Sequence, residues 1–152
     1  MTFTYPQGTR GSRQPRGRFL AWINRRTARR VGARAGTGRP GDRLALTTIG
    51  RKSGQERSTP VAGFPAEGGG WIVVASAGGA PANPAWYLNL AARPDRVTVT
   101  TGGRTVPVVA EELHGAERDA AWATVTSVAP GFADYARKTD RELPVIRLTP
   151  RR

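Results

Sequence analysis

The chain has 152 residues, no cysteine, one histidine and a formal net charge of +13. It is long enough to bury one core without covalent staples, and it can form neither a disulfide framework nor a Cys/His zinc site. No run approaches the roughly eighteen apolar residues of a membrane span and the N-terminus lacks the apolar stretch of a secretory signal, so a soluble, cytoplasmic protein is expected.

The charge is concentrated at the start. Residues 1–43 hold eleven arginines and one acid, Asp42, for a net +10, while the remainder contributes +3. A basic arm therefore precedes a nearly balanced domain. Residues 1–17, rich in Gly, Pro and Arg without hydrophobic period, are expected to be disordered. Over 18–35, Phe19, Leu20, Ile23 and Val31 share one helical side and Arg25, Arg26, Arg29 and Arg30 occupy the rest. This pattern predicts a basic amphipathic helix, with a linker to residue 43. Such a helix can lie on an anionic membrane, pack on the following domain or touch nucleic acid.

Residues 44–152 read as a single unit without internal repeats. Six runs rich in Val, Ile, Thr or aromatics, at 44–49, 55–64, 71–75, 97–101, 104–111 and 144–148, predict strands. Glycines in AEGGG (66–70) and TGGR (101–104) close hairpins, which makes the sheet mostly antiparallel. Asn83 as N-cap and Pro84 as first helical residue open a helix that ends at Ala92, before Pro94. A second helix is predicted over 116–128, with Glu117 and Asp119 suited to its dipole and Trp122, Val125 and Val128 three residues apart. Pro130 and Gly131 break it, and a short helix follows with Phe132 and Tyr135 on one face. The fold class is α+β, a small, mostly antiparallel barrel of about six strands with short helices and an N-terminal basic helix.

Two stretches carry candidate chemistry. Gly50 and Gly54 bracket Arg51, Lys52 and Ser53 in a tight turn, and Arg57 adds a planar fork on the next strand. The spacing is not that of a Walker loop and no helix follows Lys52. The turn reads either as a solvated charged hairpin or as a cradle for a phosphorylated ligand, each charge-assisted contact being worth on the order of 1.5–3 kcal/mol. In VVASAGGAPANPAWYLNL, Ser76 offers a hydroxyl and Gly78 and Gly79 admit a flat ring. Trp86 and Tyr87 would then be either a wall of that pocket or plain core anchors. His114, beside Glu111 and Glu112, is the single imidazole available to a hydrolytic triad, against which stands a capping or surface role.

The segments LTTIGRKSGQERSTPV, VVASAGGAPANPAWYLNL, PVVAEELHGAERDAAW and PGFADYARKTDRELPVIRL, in this order and spacing, resemble the deazaflavin-dependent nitroreductase family over residues 44–148. The resemblance implies a split β-barrel that binds coenzyme F420 and passes a hydride from its reduced form to a small electrophilic acceptor: a quinone, an activated enone or a nitroaromatic. It further implies that Arg51, Lys52, Ser53 and Arg57 hold the phosphate and oligoglutamate tail. Ser58, Thr59, Pro60, Val61 and Ala62 would pass beside the ring, Val74, Ala75, Ser76 and Ala77 would line its other edge, and Ala85, Trp86, Tyr87, Leu88 and Asn89 would close the pocket. Ser76 and Tyr135 take the catalytic roles, orienting the acceptor and supplying a proton, with Phe132 and Tyr135 against the substrate.

This sequence also departs from the family pattern. Ala129 and Phe132 stand where similar drug-reducing members carry tyrosines, and Ala77 stands where they carry a lysine, which implies a different grip on the tail. Competing readings are a carrier or a binder of flavin mononucleotide (FMN) or haem on the same barrel, and a basic nucleic-acid module. The arm shows no base readout, its aromatics being limited to Phe19 and Trp22 within the helix, so no specific nucleic acid is expected. The basic segment is instead expected to meet an anionic membrane surface, placing the protein peripherally on the inner face of the cell membrane. The oligomeric state is left open.

Overall fold

The computed structural model describes residues 3–12, 26, 29, 30 and 40–151. Within them the β-branched runs form strands β1 (Arg43–Ile49), β2 (Glu56–Ala62), β3 (Phe64–Pro65), β4 (Trp71–Val74), β5 (Val97–Thr101), β6 (Arg104–Glu112) and β7 (Val145–Pro150). Helices α1 (Ala85–Ala92), α2 (Gly115–Val128) and α3 (Gly131–Lys138) and a 3-10 turn (Ala77–Gly79) complete them. All strand pairs are antiparallel, in one sheet of order β2-β1-β5-β6-β7-β4-β3. The sheet curls until β2 meets β4, giving the expected split-barrel architecture.

There are seven strands rather than six because the run 55–64 breaks at Gly63. That residue donates to the Asp42 carbonyl (2.9 Å) and accepts from Gly41 (2.8 Å), so its backbone leaves the β2 ladder. A Cβ there would lie 2.4 Å from Leu44 Cδ2, and only glycine lets the chain turn so close to β1.

Alternation along the strands divides the core in two. Val73, Ile146 and Leu148 point into the barrel, which α1 plugs with Trp86, Tyr87 and Leu90. Ile72, Val74 and Val145 face outward, where Val125 of α2 and Phe132 and Tyr135 of α3 cover them. Burying each large side chain is worth about 1.5–3 kcal/mol, so α1 is held by its contacts rather than by its propensity over eight residues.

Two expectations are corrected. Asn83 does not cap α1: Pro84 occupies the cap position, and the Asn83 amide is committed elsewhere, donating to the Pro6 carbonyl at 2.7 Å and accepting from Arg141 at 2.6 Å. Nor does disorder extend over residues 3–12. Phe3 and Tyr5 set their rings edge-on to Tyr87, at centroid separations of 6.0 and 5.9 Å, and anchor the segment along the barrel. Residues 13–17 and most of the predicted basic helix lie outside the described residues, although Arg26, Arg29 and Arg30 are helical and exposed.

Candidate functional site

The cationic turn is built from both of its sides. Ile49 pairs with Glu56, so residues 50–55 form the connection between β1 and β2. Gly50 donates to the Gln55 carbonyl (2.7 Å) and Gly54 to the Gly50 carbonyl (2.8 Å), with Gly54 at φ +72°, a conformation that favours glycine. The Ser53 hydroxyl accepts from the Gln55 N–H at 3.2 Å and so braces the turn from inside. From below, the buried Asn89 side chain accepts from the Arg51 N–H (3.1 Å) and donates to Thr48 Oγ1 (3.3 Å), while Arg93 reaches the Gly50 carbonyl (3.3 Å). Arg51 and Lys52 are exposed and Arg57 half-exposed, and among the described residues none of the three makes an ion pair. Cations held by a locked backbone and not neutralised by ion pairs, although the exposed Glu56 adjoins Arg57, suit a multiply charged anion.

Strand β2 continues from this turn as one edge of the sheet, half-exposed from Arg57 to Ala62. Pro60, which has no N–H, fits an edge position. The Ser58 hydroxyl lies 2.7 Å from Thr47 Oγ1 across the ladder and is engaged there.

On the other side, β4 ends at Val74 and the chain enters the loop of Ser76 and Ala77, both half-exposed. Ala77 has φ +46°, a strained left-handed conformation for a residue with a Cβ. The buried Arg141 guanidinium holds this loop. Its Nε donates to the Ala80 carbonyl (3.0 Å), Nη1 to the Ala75 carbonyl (3.0 Å) and to Asn83 Oδ1 (2.6 Å), and Nη2 to the Ser76 carbonyl (2.8 Å). All these partners are neutral, and burial pulls the guanidinium below its ordinary pKa. Helix α3 packs against the same loop, so that a Cβ on Gly79 would lie 2.7 Å from the Tyr135 carbonyl oxygen. Phe132 and Tyr135 meet edge-on at 5.7 Å, Phe132 also meets Phe64 at 5.8 Å, and the Lys138 ammonium lies 5.6 Å from the Tyr135 ring centre. The fold thus brings Tyr135 and the Ser76 loop, far apart in sequence, to one place.

Several expected wall residues turn out to be packing or support. Val74 and Ala75 are buried in the two cores and Trp86 is buried in the barrel. Tyr87 is 0% exposed and donates to Glu112 Oε1 at 2.5 Å. Burial first, then the Glu112 carboxylate, keep its phenol protonated well above the ordinary tyrosine range. Asn89 supports the turn from beneath. Leu88 is half-buried against the barrel core, and Ala85 is exposed. His114 heads α2 without a side-chain cap, its Nε2 3.3 Å from Glu112. Arg141 and Asp140 were not anticipated: both sit in a polar stretch, TDREL, whose local pattern shows no sign of the long-range contacts they make.

The sequence model of the F420H(2)-dependent quinone reductases matches residues 19–150. The chain belongs to that family. An F420H(2)-dependent quinone reductase of Mycobacterium tuberculosis (strain H37Rv) is 36% identical over 132 residues, which is 85% of this chain and 86% of the relative. Among solved structures, an F420-H2-dependent reductase, FDR-A, is 40% identical over 72% of this chain and 94% of its own, with a TM-score of 0.63. Another, described as a domain-swapped dimer, is 35% identical over 86% of this chain and 99% of its own, with a TM-score of 0.64. This F420H(2)-dependent quinone reductase family member is an oxidoreductase whose cofactor is coenzyme F420, as the resemblance in its motifs implied. The unpaired cations of the 50–57 region have the chemistry that an acidic cofactor tail requires.

Proposed function

We propose that this enzyme reduces a quinone at the opening between β2 and the Ser76 loop, with the F420 tail on Arg51, Lys52 and Arg57. The observation that carries this reading is the cation turn, without ion pairs among the described residues and braced by Asn89. Bound F420, when reduced, supplies a hydride. The chain's own residues do the rest. Arg51, Lys52, Ser53 and Arg57 neutralise and fix the tail, and the β2 edge from Ser58 to Ala62 runs beside the ring. The Ser76 hydroxyl orients the acceptor oxygen and stabilises the negative charge that develops on it, and the Tyr135 phenol, or solvent, gives the proton that completes the hydroquinone. Phe132 gives the acceptor an apolar neighbour, and with Ala129 it leaves Tyr135 as the phenol on that helix. Quinones that partition into lipid add a role for the basic segment ahead of the barrel, which would bring the site to an anionic bilayer.

The test is a fluorescence titration of the purified protein with oxidised F420 and, separately, with FMN, at moderate salt. Tight binding of the deazaflavin alone is expected. Substituting Lys52→Ala and Arg57→Ala together should weaken it by at least about tenfold, since each charge-assisted contact is worth on the order of 1.5–3 kcal/mol. The unfolding midpoint should hold, because Lys52 is exposed and Arg57 half-exposed. Affinity and stability lost together would assign these charges to the fold, and binding of FMN instead would overturn the tail assignment.

A further inference from the structure

Residues 3–12 precede the segment shared with the family, 19–150, yet their backbone is bound to the loop that carries Ser76. The Gly8 N–H donates to the Pro81 carbonyl at 2.8 Å, the Ser12 N–H to the Gly79 carbonyl at 3.0 Å, and the Pro6 carbonyl accepts from Asn83 at 2.7 Å. Arg141 takes the carbonyls of Ala75, Ser76 and Ala80. The loop is therefore gripped from two sides, by a buried guanidinium and by an extended segment.

The residue just before Arg141 joins the two grips. Asp140 accepts from the Thr9 N–H (2.7 Å), the Thr9 hydroxyl (2.5 Å) and the Arg10 N–H (3.3 Å), so that adjacent residues hold the N-terminal segment and the loop. At its other end, Thr4 donates to Glu112 through N–H (3.2 Å) and hydroxyl (2.8 Å), and the Tyr5 N–H donates to the Tyr87 hydroxyl (3.1 Å). Glycine stands at both closest approaches. A Cβ on Gly8 would lie 2.6 Å from Asp140 Oδ1, and one on Gly11 would lie 2.2 Å from the Gly79 carbonyl oxygen. That fit is specific to this seat.

We infer that residues 3–12 are a positioning strap for the Ser76 loop, so that the acceptor side of the site is completed by a segment lying ahead of the family's shared region. The inference rests on the reading of Ser76 as an acceptor-side residue. The loop needs such support: its sequence, AGGAPA, has small side chains that pack little, and Ala77 is held in a left-handed conformation. A hydroxyl that must meet a developing charge loses its effect when its backbone wanders. The strap and Arg141 between them remove that freedom.

The test uses the full-length enzyme with Gly11→Val, which wedges the strap off Gly79, Thr9→Val, which removes one Asp140 contact, Thr9→Ser, which keeps it, and Gln7→Ala as a control at an exposed position. Amide hydrogen exchange of residues 77–83 without coenzyme, F420 affinity by fluorescence, and kcat and KM with reduced F420 and menadione are measured for each. Gly11→Val should raise loop exchange about tenfold and lower kcat about tenfold, while F420 affinity changes less than about threefold because the tail cations lie on another element. Thr9→Val should move the same quantities less, with Thr9→Ser and Gln7→Ala close to the unsubstituted enzyme. Unchanged loop exchange in both Gly11→Val and Thr9→Val overturns the strap's role. Raised exchange with unchanged kcat and KM keeps the strap's hold on the loop and instead overturns the assignment of Ser76 to the reaction. F420 affinity falling in step with kcat overturns positioning in favour of a general loss of structure.

Discussion

Asn89 is a buried amide whose two hydrogen bonds point at the backbone and hydroxyl beneath an exposed turn, so its effect on binding is indirect. Asn89→Leu keeps the fork at Cγ while removing both polar atoms, and it strands the Thr48 hydroxyl, which is 0% exposed, at a cost of about 1–3 kcal/mol. It also frees the Arg51 backbone, and F420 affinity should fall several-fold with every tail cation still present. Chemical denaturation and coenzyme titration of the same variant measure the two effects; intact affinity in a destabilised protein would restrict Asn89 to the fold. The sequence marks the cations themselves, because Gly50 and Gly54 around Arg51 and Lys52 form a local pattern. What holds them is invisible there, since Asn89 sits in YLNL like any helical residue and meets the turn only once β1 is paired. Arg141 is the extreme case: one of 24 basic residues, set apart only by four hydrogen bonds to partners about sixty residues away.

Whole elements were more legible where periodicity is local. The hairpins and helices α1, α2 and α3 follow from β-branched runs, glycine turns and proline stops, and the deviations come from contacts between elements. Gly63 splits a continuous run because Leu44 leaves no room for a side chain, and the strap is ordered although its composition reads as disorder. Gly8 and Gly11 look like flexible residues in the sequence and serve close packing in the structure. The strap's attachment has a definite pH signature. Bonds from the Thr9 hydroxyl and N–H lower the Asp140 pKa from its ordinary 3.8 to about 2. Because the carboxylate is the bound form, its contribution is fully present above the unfolded value and is lost as pH falls through the folded one. The Thr9 amide resonance, followed by NMR, should therefore titrate with a midpoint near 2 and stay flat in Asp140→Asn. A midpoint at the ordinary value of 3.8 would mean that the strap is not seated on Asp140.

At the scale of the whole molecule the charge is split between a strongly basic leading segment, +10 over residues 1–43, and a barrel carrying +3. No helix among the described residues is long and apolar enough to cross a membrane. A basic residue near an anionic leaflet contributes about 1 kcal/mol, and the leading segment holds enough of them for useful affinity even if half stay in solvent. That attraction is electrostatic and falls off within a Debye length, about 8 Å at physiological ionic strength. The full chain should therefore sediment with vesicles containing phosphatidylglycerol, not with pure phosphatidylcholine, and should be released as salt rises. Replacing Arg25, Arg26, Arg29 and Arg30 together by glutamine should lower retention by more than about tenfold, as four contacts of about this size imply. With the fold checked by its unfolding midpoint, that variant should keep F420 affinity and turnover of a water-soluble quinone while reduction of a bilayer-embedded quinone slows. Equal retention on neutral and anionic vesicles, or none on either, would remove the membrane from the proposal and leave the arginines as a general polyanion contact, which nucleic acid would then compete for with the same salt dependence.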